Sequence, residues 1–120
     1  MSDLNLWDSE YKFMCVVWEN APVNSGALVE ICKDRLGWKK STTYNAIRKM
    51  SEKGLIKNES AVVSVIIPKE EVQANESENF VERTFEGSLP SFLASFLGGK
   101  TISESEADFL TALINSHKEE

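Results

Sequence analysis

The chain has 120 residues, of which 42% are apolar and 27% charged, a composition typical of a modest globular protein. No apolar run approaches the ~20 residues that a membrane-spanning helix needs, and the N-terminal residues lack the basic and apolar segments of a signal peptide. We therefore expect a cytoplasmic protein that makes no contact with a membrane.

Charge is unevenly distributed along the chain. The 13 basic and 19 acidic residues give a net charge of −6, and residues 72–120 alone, with three basic and nine acidic side chains, account for this excess. Residues 33–57 carry the opposite balance, a net charge of +6, because only Asp34 and Glu52 are acidic there. An acidic protein that gathers positive charge in one short segment usually presents that segment to a polyanion. The eight basic residues of this window are Lys33, Arg35, Lys39, Lys40, Arg48, Lys49, Lys53 and Lys57.

The first predicted element is a helix over residues 8–19, with Asp8 as its cap. Asn20 to Pro22 ends this helix, since proline cannot continue it. Its apolar side chains recur at the spacing of one helix face. They are Tyr11, Met14, Cys15 and Trp18.

Two further helices follow closely. The second is predicted to begin at Asn24 and to end near Gly37, where glycine supplies the left-handed residue that closes many helices. The third begins near Lys39 and ends at Gly54. Only a short turn separates the two helices, which is typical of a helix-turn-helix pair.

A short β-hairpin is predicted directly after these helices. Residues 55–57 and 61–67 are rich in β-branched side chains and flank a polar tip, Asn58-Glu59-Ser60. Three helices followed by a hairpin is the order of a winged helix-turn-helix domain, with the third helix as the DNA reader. A winged helix-turn-helix domain is therefore predicted over residues 1–70.

The remaining residues, 71–120, are predicted to form a helical dimerisation region. Residues 69–85 suit a connecting helix, and two shorter amphipathic helices follow it, the last one opened by the capping sequence Ser103-Glu104-Ser105-Glu106. Apolar stripes this short cannot bury themselves within one copy, so a second copy is expected to cover them. The predicted dimerisation residues are Phe80, Val81, Phe85, Leu89, Phe92, Leu93, Phe96, Leu97, Phe109, Leu110, Leu113 and Ile114.

The third helix carries the chemistry expected of a DNA reader. Thr43, Ala46, Ile47 and Met50 form its inner stripe. Its outer side, called here the reader face, consists of Lys40, Ser41, Thr42, Tyr44, Asn45, Arg48 and Lys49.

Each side-chain type on the reader face matches a group of the DNA major groove. Asn45 can pair with adenine and Arg48 with guanine, while hydroxyl groups and lysines contact the phosphate backbone. Lys39 at the start of the helix, and Lys57 and Asn58 of the hairpin, complete the predicted DNA-binding set. The alternative interpretation is an ordinary solvated helix face.

The sequence predicts no enzyme, no cofactor and no metal site. Cys15 and Cys32 have no partner at metal-ligand spacing and fall within apolar stripes, so both are interpreted as buried structural residues. His117 is the only histidine. Neither a nucleophile with a nearby base nor a phosphate-binding glycine loop is present.

Three segments together resemble the penicillinase-repressor family, across about residues 6–114. Residues 9–18 are similar to its opening helix, E-W-x-V-M-x-x-x-W. Residues 38–56 resemble its W-x-x-x-T-V-x-T-L-L-x-R-L-x-x-K-G segment, although Thr43 stands where the family favours a β-branched apolar residue. Residues 85–96 are similar to F-x-G-S-L-x-S-L-V-x-x-F.

The resemblance implies a homodimeric repressor of transcription that binds a palindromic double-stranded DNA operator. In the antibiotic-responsive members a sensor pathway leads to proteolysis at an Asn–Phe bond, and the matching bond here is Ser95–Phe96, with serine in place of asparagine. A regulatory protease or sensor pathway is thus a further implied partner. A different hypothesis is a winged-helix module that dimerises and contacts a protein partner without specific DNA binding, because the hairpin tip is acidic.

Overall fold

The computed structural model describes residues 4–119 of the chain. It is mostly helical with one small antiparallel sheet, which confirms the predicted fold class and fits a winged helix-turn-helix. In chain order the elements are α1 Asp8–Asn20, β1 Val23–Asn24, α2 Ser25–Leu36, α3 Lys40–Glu52, β2 Ile56–Glu59, β3 Val62–Val65, α4 Lys69–Phe85, α5 Leu89–Leu97 and α6 Glu104–Ser116.

The chain divides into two compact units, Met1–Phe80 and Val81–Glu120. The first unit contains α1 to β3 and the larger part of α4. The second contains the end of α4 together with α5 and α6. The finer assignment of a DNA-binding domain over residues 1–70 and a dimerisation region over residues 71–120 stays a prediction.

The ends of the helices follow the capping chemistry of the sequence, with one correction. The N-cap of α1 is Trp7 and not Asp8, because the Glu10 carboxylate accepts a hydrogen bond from the Trp7 backbone N–H at 2.9 Å. Asp8 lies instead in the first turn, where a carboxylate is favourable beside the positive helix end. The predicted caps of α2 are confirmed: the Asn24 side chain accepts from two backbone N–H groups, and Gly37 closes the helix at φ 69°.

The sheet has three strands in the order β1-β3-β2, one more than predicted. Val23 and Asn24 pair with Val63 and Val62 at the edge of the hairpin. A two-residue strand is too short to show alternation of apolar and polar residues, so the sequence gives no signal for it. The pairing joins the start of α2 to the hairpin, since Ser25 N–H also donates to the Ala61 carbonyl at 2.8 Å.

The hairpin tip lies further along the chain than predicted. The turn consists of Ser60 and Ala61, both with positive φ, at 52° and 63°. This matches the two-residue turn whose twist suits paired strands. Asn58 and Glu59, predicted to be tip residues, belong to β2.

The core lies in the first unit, where α1, α2, α3, the sheet and the start of α4 meet. Trp18 joins α1 to the chain after the hairpin, because its Nε1–H donates to the Ile67 carbonyl at 3.1 Å. The buried apolar residues of this cluster are Leu4, Phe13, Met14, Val16, Val17, Leu28, Cys32, Ile47, Met50, Leu55, Ile56, Val63 and Val72.

One polar side chain is fully buried in this core. Thr43 has no exposed surface, and its hydroxyl makes no hydrogen bond of ordinary geometry with any described residue. Burial raises the pKa of the Cys32 thiol, and the nearby Thr43 hydroxyl acts in the opposite direction with a smaller effect. Cys15, predicted to be buried, is only half-buried.

We expect Thr43→Val to stabilise the protein by about 1 kcal/mol, because it removes a buried hydroxyl without changing the shape of the side chain. Urea denaturation should show a higher midpoint and an unchanged m-value. Thr43→Ser, which keeps the hydroxyl and removes a methyl group, serves as the control and should lower the midpoint. A lower midpoint for Thr43→Val would mean that the hydroxyl makes a hydrogen bond that the native state needs.

Candidate nucleic-acid interface

The turn between α2 and α3 fixes the start of the reader helix. Gly37 adopts the left-handed conformation and Trp38 N–H donates to the Cys32 carbonyl at 3.3 Å, so α2 closes within three residues of α3. The half-buried Trp38 ring stacks on Phe13 of α1, with ring centroids 5.8 Å apart. The position of the first turn of α3 is therefore set by the core itself.

The two sides of α3 separate as the spacing predicts. Thr43, Ile47 and Met50 are buried, and Ala46 is half-buried beside them. Every residue of the reader face is exposed, and so is Lys39. The helix thus presents a continuous strip of cationic, amide and hydroxyl groups to solvent.

The N-terminal end of α3 is favourable for an anion. Lys39 is the N-cap, and its side chain forms no capping hydrogen bond. The first backbone N–H groups of a helix have no partner within the helix and carry partial positive charge. Lys40 lies in the same turn, its ammonium 6.0 Å from the centre of the Tyr44 ring. Positive charge from the backbone and from lysines therefore coincides at this end.

Half of the basic window is neutralised by carboxylates of the same chain. Lys53 is the strongest departure from the prediction, because its side chain is only 23% exposed and donates to the Asn5 carbonyl at 2.9 Å. The pairs are Arg35 with Glu19, Arg48 with Glu52, Lys53 with Glu10, and Lys57 with Glu59. Within residues 4–119 no ion-pair partner is found for the other four, which are Lys33, Lys39, Lys40 and Lys49.

The Arg35–Glu19 pair joins α2 to α1 rather than facing α3. The Arg35 guanidinium lowers the pKa of the Glu19 carboxyl, mainly through their hydrogen bond, and the same bond raises the pKa of Arg35. Both side chains are largely exposed to solvent. Arg35 is one of the eight basic residues of the window from 33 to 57, yet its charge is compensated by Glu19 of the same chain.

The hairpin contributes little positive charge at its tip. Lys57 and Asn58 are exposed on β2, and the Lys57 ammonium lies 3.9 Å from the Glu59 carboxylate. Ser60 and Ala61 form the turn and carry no charge. Any contact of this wing with phosphate would therefore come from the strand and not from the turn.

The model of the penicillinase repressor family matches residues 6–116, which is more than nine-tenths of the chain.

The chain belongs to the penicillinase repressor family.

Two curated proteins match this chain over at least 90% of its length. The penicillinase repressor of Bacillus licheniformis is 22% identical over 115 residues, which cover 92% of this chain and 90% of that protein. An uncharacterised 16.5 kDa protein of Latilactobacillus sakei is 24% identical over 112 residues, which cover 90% of this chain and 77% of that protein.

The three segments that resemble the family lie in helices α1, α3, α4 and α5 and in the chain beside α3. Residues 9–18 lie in α1, and residues 38–56 form the turn before α3, α3 itself and the start of β2. Residues 85–96 begin at the end of α4 and continue into α5. The segments that identify the penicillinase repressor family thus include the reader helix and the helices that follow the hairpin.

The second unit of this member of the penicillinase repressor family exposes much of its apolar surface. No side chain among residues 81–119 is fully buried. Phe109 is 70% exposed and Phe96 57% exposed, while Phe92 contacts the Phe85 and Phe96 rings. Of the predicted dimerisation residues, Phe80, Leu89, Phe96, Phe109, Leu110, Leu113 and Ile114 are exposed, and Val81, Phe85, Phe92, Leu93 and Leu97 are half-buried. Sequence reasoning missed Ile102, which precedes α6 and is also exposed.

The Ser95–Phe96 bond lies within α5. Both side chains are exposed, and the Lys100 ammonium donates to the Phe96 carbonyl at 3.0 Å. Proteases act on locally opened backbone. Cleavage of this bond would therefore require the end of α5 to unwind first.

Other site classes find no support in the part of the chain that the structure describes. No helix there is both long and apolar enough to cross a bilayer. Residues 4–119 also contain no group of three or more His, Cys, Asp or Glu side chains placed to hold a metal ion.

Proposed function

We propose that this protein is a transcriptional repressor that binds double-stranded DNA as a homodimer, with α3 of each copy in the major groove of a near-palindromic operator. The reader face is the observation that carries this proposal, because all of its residues are exposed and the opposite side of α3 is buried at Thr43, Ile47 and Met50. Family membership supports the regulatory role. The relative from Bacillus licheniformis is named as a penicillinase repressor.

In this proposal the contacts divide by chemistry. Asn45 and Arg48 contact base edges, since their planar groups match adenine and guanine. Ser41, Thr42 and Tyr44 donate to phosphates or contact thymine methyl groups. The lysines of the interface neutralise phosphate charge, and Asn58 of β2 adds a backbone contact. These lysines are Lys39, Lys40, Lys49 and Lys57.

Dimerisation is proposed because the second unit cannot cover its own apolar side chains. The α5 and α6 helices contain no buried residue, and clustered exposed apolar side chains of this size usually mark an interface. A two-fold axis would bring two copies of α3 to successive half-sites, about 34–36 Å apart or a multiple of this distance. An operator with matching two-fold symmetry follows from this arrangement.

Relief of repression is proposed to act on the pairing of the two copies. The reader face of one copy offers few base contacts, and the chain as a whole carries a net charge of −6 that opposes DNA binding. A sensor pathway with a regulatory protease that cuts at Ser95–Phe96 would separate the copies and so release the operator. A repressor of this kind works where the DNA is, in the cytoplasm.

A protein-interaction module is the second candidate function. It is favoured by the carboxylates that neutralise Arg48 and Lys57, which are among the proposed DNA contacts. Such a module would dimerise and contact a protein partner without specific DNA binding.

Salt dependence separates the two candidates. Two copies of the proposed interface present eight lysines, and six of them, Lys39, Lys40 and Lys49 of each copy, have no ion-pair partner within residues 4–119. Each phosphate contact contributes about −0.9 to the slope of log affinity against log salt concentration. We therefore expect a slope of about −4 to −7 for binding to a fluorescent duplex, measured by anisotropy. Absent or salt-independent binding at low ionic strength would favour the interaction module.

A further inference from the structure

Within residues 4–119, the one carboxylate that forms an ion pair with a side chain of the reader face is that of Glu52. It is the single acidic residue among the 13 residues of α3, all of which the structure describes. Its Oε1 accepts a hydrogen bond from Arg48 Nη1 at 3.0 Å. The two side chains are 65% and 61% exposed, so this ion pair lies on the surface proposed to contact DNA.

Helix stability does not explain the acidic residue at this position. Glu52 is the last residue of α3, where negative charge is unfavourable beside the negative end of the helix dipole. The order of the pair, with the basic residue N-terminal to the acidic one, is also the weaker of the two. An exposed pair of this spacing contributes little to the free energy of folding. The effect of Glu52 on the groups that Arg48 can bind is therefore the better explanation for the pair.

The pair restricts the groups that Arg48 can bind. A guanidinium has five N–H donors in one plane, so the hydrogen bond to Glu52 leaves enough of them for both acceptors of a guanine. A phosphate, in contrast, brings its own negative charge close to the Glu52 carboxylate and is repelled. Arg48 would therefore bind a phosphate only with its partner displaced.

We propose that Glu52 is a specificity-determining residue of the reader face, because its carboxylate holds Arg48 ready for a guanine and opposes binding to phosphates of unrelated DNA. This inference rests on the proposed DNA-binding function. It gives α3 a mechanism for discrimination that depends on repulsion of the wrong target as well as attraction to the right one.

The test uses the full chain with Glu52→Gln, which keeps the size of the side chain and removes its charge. Two fluorescent duplexes serve as probes, one of random sequence and one selected from a random library by the wild-type protein. We expect Glu52→Gln to bind the random duplex about fivefold more tightly, with a salt slope steeper by about 0.9 for each copy, because Arg48 becomes available to a phosphate. Its preference for the selected duplex should fall by a similar factor.

Two controls isolate the pair. Glu71→Gln makes the same charge change at an exposed position of a different helix, in the first turn of α4, and should leave the preference unchanged. In an Arg48→Ala background the Glu52→Gln change should lose most of its effect on the random duplex. Thermal melting checks that all variants remain folded.

The outcomes distinguish this inference from the function on which it rests. It is overturned if Glu52→Gln leaves the random-duplex affinity and slope unchanged, if Glu71→Gln has an equal effect, or if the effect persists without Arg48. If Glu52→Gln strengthens random-duplex binding but selection enriches no sequence, the operator proposal fails while the restraint on phosphate binding stands. If the wild-type protein and all variants fail to bind DNA at low salt, both fail.

Discussion

Arg48→Ala is expected to reduce affinity for the selected operator by about 10- to 100-fold for each of the two copies, because each copy loses one bidentate contact with guanine. Affinity for random-sequence DNA should change little, because Glu52 already occupies Arg48 in the free protein. Anisotropy titrations with both duplexes at one fixed salt concentration measure the two effects together. The substitution should not unfold the protein, since Arg48 is exposed.

Lys40→Ala is the matched control on the same helix. No ion-pair partner of Lys40 is found within residues 4–119, so its charge is available to the DNA backbone. Its loss should weaken binding to both duplexes alike and make the salt slope shallower by about 0.9 for each copy. The assignment of α3 as the reader would be wrong if Arg48→Ala left operator affinity untouched.

Leu113→Lys is expected to separate the dimer and to lower operator affinity by about 10²- to 10⁴-fold, the advantage that linked binding sites usually provide. Leu113 is 45% exposed on α6, and a lysine ammonium at this position would have to lose its hydration to enter an apolar interface. Sedimentation velocity at micromolar concentration should show a monomer in place of a dimer. The affinity of each copy for a half-site should stay near that of a wild-type monomer.

Asn115→Lys provides the control for charge and for the helix itself. Residue 115 is exposed and lies about 200° around α6 from Leu113, on the side away from the apolar stripe. This variant should remain dimeric and keep its operator affinity. A Leu113→Lys protein that still sediments as a dimer and binds the operator normally would exclude α6 from the interface.

The sequence was a good guide wherever a pattern extended over several turns of helix. The periodic apolar residues of α1 and α3 and the asparagine and glycine caps of α2 predicted these helices to within one or two residues. The two-residue strand β1 gave no such pattern, because it is specified by its partners Val62 and Val63 some 40 residues later. The turn at Ser60 and Ala61 lies further along the chain than predicted, because neither residue type is typical of positive φ and the sequence therefore did not mark the turn.

The sequence predicted the position of the candidate site better than it predicted the ion pairs that neutralise its basic residues. The Arg48–Glu52 pair could be inferred from its spacing of four residues in a helix. The Lys53–Glu10 and Arg35–Glu19 pairs join different helices, so they depend on packing that no local pattern specifies. A count of basic residues in the window from 33 to 57 therefore overstated the positive charge available to a ligand.

Selection of duplex DNA from a random library by the full-length wild-type protein tests the central claim most directly. We predict enrichment of one near-palindromic sequence whose half-site centres are about 10–10.5 base pairs apart, or a multiple of that spacing, because two copies of α3 must enter successive major grooves. Enrichment of no sequence, or of a single half-site without symmetry, would contradict the account of a dimeric repressor.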